Sequence, residues 1–231
     1  MTHSQDATVT CRGVQIPLDS HIITPKVARQ LSREFYETPE VTALPLFCTQ
    51  ADRVLELGSG IGFISTYLAK TVNVSHVTCV EANPVLCDFI ARVHKLNEVP
   101  DAQVQNAVLM SDVAEMPESG EMPFYTTSPF WSSSLTRPAK GFYCPIVVPT
   151  IRLSDMIAKV DPNVIVCDIE GGELDLFEQA DLGRVRNVFM ELHTRVYGGP
   201  GVVKVFENMH RLGFFYHQRI SARGTVLFRR F

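Results

Sequence analysis

Apolar and polar positions fall into a regular rhythm from residue 53 onward. Arg53 to Leu57 (RVLEL) reads as a short buried strand, Phe63 to Thr71 as a helix and His76 to Val80 as a second strand. Asn83 offers an N-cap and Pro84 a first helical position. Val85, Leu86, Phe89, Ile90, Val93 and Leu96 then recur at helical spacing. Gln103 to Asn106 is a short third strand. After a pause, the pattern returns with a helix over Leu153 to Val160, a strand over Val164 to Asp168 and a helix from about Glu173. It continues with a strand over Asn187 to Leu192 and a helix over Gly201 to Leu212 with Val202, Val205, Phe206, Met209 and Leu212 on one face. Gly213 suits its C-cap. Phe214 to Ile220 and Thr225 to Phe231 are strand-like and joined by Ser221-Ala222-Arg223-Gly224, which predicts an antiparallel hairpin.

Strands alternating with helices predict an α/β fold, a doubly wound and mostly parallel sheet ending in that hairpin. Two parts stand outside the rhythm. Residues 1–50 form an N-terminal cap, with a short strand within Ala7 to Leu18. A helix over Pro25 to Glu37 carries Val27, Leu31 and Phe35 on one side. Leu109 to Thr150, rich in Pro, Ser, Thr and aromatics, reads as an insertion of irregular strands and loops. The whole chain of 231 residues fits one domain.

Charge and composition narrow the partners. A net charge of −4 lacks the concentrated basic surface that a nucleic-acid backbone requires. No apolar run approaches the roughly 20 residues needed to span a bilayer, so no membrane partner is expected. The opening MTHSQDATVTCRG lacks a basic segment followed by an apolar core, so no signal peptide is visible. The six cysteines form no CxxC pair, and Cys79, Cys87 and Cys167 lie in apolar segments. They read as reduced thiols of a cytoplasmic protein rather than metal ligands. Oligomeric state is left open, a homodimer included.

The stretch VLELGSGIG carries the first chemistry. Gly58, Gly60 and Gly62 follow the first strand of the doubly wound unit, at the sheet edge where ligands bind. Glycines there supply positive φ and bring backbone near a ligand. A dinucleotide loop would run G-x-G-x-x-G, but the sixth position is Phe63. The spacing G-x-G-x-G is that of S-adenosylmethionine-binding methyltransferases. Glu81, following the second strand, can accept from both ribose hydroxyls. Glu56 adds negative charge that suits a sulfonium cation. Asn106-Ala107 ends the third strand, where an amide either bonds an adenine edge or simply caps the strand.

The second half resembles a family. Asp168-Ile169-Glu170-Gly171-Gly172-Glu173 is similar to the D-V-E-G-A-E signature of FkbM-type methyltransferases, and Met190-Glu191-Leu192-His193 resembles their E-x-H. WSSSL, Trp131 to Leu135, resembles their serine-rich insertion, and Thr150 to Ile157 the helix that follows it. The resemblance spans Val54 to His193. It implies a class I methyltransferase (Rossmann-like) fold, S-adenosyl-L-methionine as methyl donor, and O-methylation of hydroxyls on sugars or natural products. Val166 stands where the family often has Lys, so no role of that Lys is carried over.

From these readings, the donor site is expected at Glu56, Gly58, Ser59, Gly60, Gly62, Glu81, Ala82, Asn83, Asn106, Ala107 and Asp168. Catalysis is expected at His193, Asp168 and Glu170: Asp168 and His193 end the fourth and fifth strands, and Glu170 follows Asp168 by two residues. A base near the acceptor hydroxyl makes a better nucleophile, and an imidazole titrates in the useful range. Glu173 falls in a first helical turn, where the dipole favours a carboxylate. Asp168, Glu170 and His193 resemble a divalent-metal set, but not specifically enough to predict a metal. Ser132, Ser133 and Ser134 stand as donor or acceptor contacts or as a polar surface loop. Phe124, Tyr125, Phe130 and Trp131 stand as a pocket wall or as packing of the insertion. The acceptor, a small hydroxylated molecule, would meet the cap, the insertion and the loop His193 to Gly201. A nicotinamide-dependent oxidoreductase and a non-catalytic S-adenosylmethionine-binding module are the alternatives.

Overall fold

The structure, a computed structural model, describes residues 7–127, 143–222 and 224–231. The insertion residues Phe130 to Leu135 therefore lie outside the described residues. A seven-stranded sheet runs through the centre. Its parallel strands are β3 (Arg53–Leu57), β4 (His76–Glu81), β5 (Ala102–Asn106), β9 (Val164–Cys167) and β10 (Asn187–Glu191). Strands β11 (Phe215–Tyr216) and β12 (Thr225–Arg229) close one edge, with β12 antiparallel to β10. The order β11-β12-β10-β9-β3-β4-β5 places β3 between β4 and β9, the point where the winding reverses. This is the doubly wound sheet that the alternation predicts, hairpin included.

Neighbouring strand residues point to opposite faces. Val54, Val77, Cys79, Val164 and Val166 enter one core, beneath α1 (Pro25–Ser32), α3 (Phe63–Tyr67) and α4 (Pro84–Leu96). Leu55, Leu57, Ile165, Cys167 and Met190 enter the other. That core is covered by α5 (Leu153–Val160), α6 (Glu173–Leu176) and α7 (Thr194–Arg211). All six cysteines are free, in keeping with reduced thiols.

Details depart from the periodicity. In the first segment, β1 (Thr8–Cys11) and β2 (Val14–Pro17) form a hairpin rather than one strand. Asn97, capping α4, fastens it: its Oδ1 accepts Gln15 N–H at 2.8 Å and its Nδ2 donates to Gln15 O at 2.7 Å. Helix α1 stops at Ser32 because Glu34 turns left-handed and Phe35 N–H bonds back to Gln30 O. Phe35 is consequently 65% exposed, not on the apolar face. Val85 and Leu96 are likewise exposed at the ends of α4. The segment Phe63 to Thr71 is α-helical only to Tyr67 and continues as a π-helical turn, Leu68–Val72. Helix α7 starts at Thr194, inside the expected loop, and breaks at Gly198 (φ 65, ψ −170).

The insertion is more regular than expected. Strands β6 (Val108–Met110), β7 (Glu121–Thr127) and β8 (Tyr143–Arg152) form a separate sheet in the order β6-β8-β7. Its small core of Val108, Phe124 and Val148 packs on Ala82. It stands beside the carboxyl ends of β4 and β5. A short helix, α2 (Thr38–Ala43), completes the cap beside α3.

Candidate active site

A cavity of about 430 Å³ opens at the carboxyl ends of β3, β4, β9 and β10. Its wall includes Glu56, Gly58, Ser59, Gly60, Glu81, Ala82, Ala107, Asp168 and Glu170 of the expected site residues. Gly62, Asn83, Asn106 and His193 are not in the wall.

The reversal of winding brings β3 and β9 side by side, with Leu57 opposite Cys167. Asp168 N–H donates to Leu57 O at 2.8 Å as the two strands end. Gly58, at φ +77, faces that crossing: a Cβ would sit 1.7 Å from Asp168 O. Its glycine thus admits the neighbouring backbone as well as clearing the cavity. At Gly62 an added Cβ would press on the Ile90 side chain at 3.0 Å, so this glycine serves the packing of α3 against α4.

Glu81 is buried at the end of β4. Its Oε2 accepts Gly60 N–H at 3.0 Å and its Oε1 accepts Asn83 N–H at 2.8 Å. Burial raises its pKa, while these backbone donors pull the other way. The carboxylate is thereby fixed against the glycine loop with lone pairs left for a ligand. Asn83 caps α4 through Oδ1, accepting Val85 N–H at 3.1 Å. Asn106 donates its amide to Glu81 O and Ala82 O at 2.9 and 2.8 Å, which ties β5 to the end of β4. Glu56 faces the cavity, but burial pushes its pKa up to about 7, which weakens the negative charge expected of it.

At the other side of the cavity, Asp168, Glu170 and His193 converge. His193 Nε2 lies 3.4 Å from Asp168 Oδ1 and 3.3 Å from Glu170 Oε2. His193 Nδ1 lies 2.9 Å from Glu173 Oε1, and its backbone N–H donates to Glu173 Oε1 and to Tyr197 Oη at 3.1 and 2.8 Å. Burial alone would depress the imidazole's pKa, but Glu173, Asp168 and Glu170 outweigh it and lift it to about 9. The carboxylates around it thus favour the protonated form of His193. Burial and Glu191 push Asp168 up to about 8.

Periodicity gave no warning of several groups here. Glu173, in the first turn of α6, is wholly buried and orients His193 rather than serving the helix dipole alone. Tyr36, Glu37 and Glu40 reach the cavity from the cap, and Glu191 from the end of β10. Burial and Glu40 hold Glu37 well above the usual carboxylate range. From the insertion come Leu109, Met110, Ser111, Met122 and Phe124, while Tyr125 instead meets Tyr143 edge-on at 5.6 Å.

The family of the methyltransferase FkbM domain matches residues 56–216, which spans the glycine loop, Glu81, Asp168, Glu170 and His193. The chain belongs to the FkbM methyltransferase family. Its methyl donor is S-adenosylmethionine. The fold is shared with M. jannaschii TYW2 in complex with AdoMet, at 12% identity and TM-score 0.50, covering 100% of this chain and 89% of that one. A TehB-like SAM-dependent methyltransferase from Corynebacterium glutamicum is similar at 12% identity and TM-score 0.49, covering 92% and 98%. The ribosomal protein L11 methylase from Lactobacillus delbrueckii subsp. bulgaricus gives 12% and 0.49, covering 86% and 80%. No curated protein matches the sequence. Among the described residues of this FkbM-family chain, no helix is long and apolar enough to cross a membrane.

Proposed function

We propose that this methyltransferase O-methylates a hydroxyl of a small molecule, of sugar or natural-product type. The carrying observation is one cavity with two unlike sides: the glycine loop with Glu81, and the carboxylate group around Asp168. S-adenosylmethionine, when bound, would supply an electrophilic methyl carbon; an acceptor oxygen attacking it in line would form the O–C bond as the C–S bond breaks and S-adenosylhomocysteine leaves. Glu81, clamped by Gly60 and Asn83 N–H, holds the ribose hydroxyls. Gly58, Ser59, Gly60, Ala82 and Ala107 give the donor its close-fitting wall. Met122, Phe124, Tyr36 and Leu109 shield the reacting end from water.

An alcohol needs its proton taken as its oxygen attacks. Asp168, which lines the cavity, takes it in its ionised form. Glu170 and the His193 imidazolium set the charge around it. Alignment of the two substrates supplies the larger part of the acceleration. Membership of a methyltransferase family decides against the nicotinamide alternative. Turnover with a panel of hydroxylated and amine-bearing acceptors, read as S-adenosylhomocysteine and methylated product by mass spectrometry, tests the reading. Methyl ethers are expected; methylation of amines alone would overturn it.

A further inference from the structure

We propose that Asp168, Glu170 and His193 form a binding site for one octahedrally coordinated divalent cation beside the cavity. The role given to it, gathering an acceptor's adjacent oxygens, rests on the O-methylation reading; the site itself does not.

One ligand atom from each residue lies within 4.8 Å of the other two. Adjacent corners of an octahedron are separated by √2 times the bond length, so bonds of roughly 2.1–2.3 Å place them about 3.0–3.3 Å apart. Nε2 stands 3.3 and 3.4 Å from Glu170 Oε2 and Asp168 Oδ1, close to that spacing before any ion draws them in. One imidazole and two carboxylates occupy neighbouring corners and leave the others for water or acceptor oxygens. The donor set suits a first-row ion such as Mn²⁺.

Two further observations point to a ligand. Glu173 grips Nδ1 from a fully buried position, which turns Nε2 toward the carboxylates; metal-bound histidines are oriented by a carboxylate in this way. Asp168 Oδ1 is enclosed yet accepts no hydrogen bond. Among the described residues, no lysine or arginine lines the cavity to neutralise its acids. A cation would take the place of the Nε2 proton and supply that charge.

The full chain, stripped with chelator, is titrated with Mn²⁺ and the free ion followed by electron paramagnetic resonance. We expect one Mn²⁺ per chain, with affinity lowered about tenfold or more in D168N, E170Q and H193Q. No uptake at millimolar Mn²⁺, or equal affinity in all three variants, overturns the site. Near-UV circular dichroism checks folding. E170Q, altered at a side chain that is 38% exposed, reads the site even if H193Q does not fold. Calorimetric titration of the same samples with S-adenosylmethionine separates the two readings. Mn²⁺ uptake without donor binding keeps the site and removes the methyl-transfer role.

Discussion

Glu173 Oε1 stands 2.9 Å from His193 Nδ1 and also accepts the His193 backbone N–H at 3.1 Å. One carboxylate thus fixes both the ring and the peptide at the end of β10. Burial would raise the Glu173 pKa, but His193 holds it below the usual value. Glu173 touches no cavity wall, so its part is to position His193.

Replacing Glu173 with Ala leaves a buried imidazole N–H unpartnered. We expect a loss of roughly 1–3 kcal/mol in stability by denaturant melt. We also expect kcat down about tenfold or more with donor affinity unchanged. Glu173→Gln, which keeps an acceptor oxygen, should restore most of the stability. A donor affinity that falls in step with kcat would show that Glu173 only supports the fold.

Gly58→Ala tests the crossing of β3 and β9. Its Cβ would meet Asp168 O at 1.7 Å, at a φ of +77 that alanine avoids. The variant should lose roughly 2 kcal/mol or more, or fail to fold, since backbone and not a movable side chain is in the way. A thermal midpoint equal to that of the parent chain would remove this role.

Acid stability should report His94. It is buried on α4, its Nε2 2.9 Å from Ser65 Oγ, and burial lowers its pKa to about 4. The unfolded chain takes up a proton below its ordinary pKa near 6.5, whereas the folded chain does so only near 4. Stability therefore falls as pH drops through this window, by up to about 3 kcal/mol. His94→Gln should flatten that part of a denaturation profile taken across the same window. An unchanged slope would assign the acid sensitivity to other groups.

Much of this arrangement was legible in the chain. Strand β3, helix α4 and helix α5 have the bounds their periodicity predicts, because buried strands and capped helices write their pattern locally. What failed depended on distant contacts. The apolar faces of α1 and α4 were drawn too wide, since Phe35 lies beyond the end of α1 and Val85 and Leu96 are exposed at the ends of α4. The insertion looked irregular, yet Pro123 and Pro149 sit within paired strands of a small sheet. For Asn106 the sequence leaves an adenine contact and a strand cap open, and only the neighbouring backbone carbonyls show where its amide bonds. Glu173 looked like a dipole residue. Only the approach of β10 reveals its partner, and no spacing within α6 signals a histidine from another strand. Glu37 and Glu40 gave no signal either, because the path of the cap over the cavity is a tertiary fact.

The central claim is that the glycine loop and Glu81 hold S-adenosylmethionine. Isothermal titration of the full chain with S-adenosylmethionine, repeated on Glu81→Gln, tests it most directly. In that variant one of the two backbone donors, from Gly60 or Asn83, faces an amide NH2 instead of an acceptor, and the other meets a neutral oxygen. The account predicts saturable binding by the parent chain and affinity at least about tenfold weaker in the variant, a difference of about 1.4 kcal/mol or more. Absence of binding by the folded parent chain at millimolar donor, or equal binding by Glu81→Gln, would contradict it.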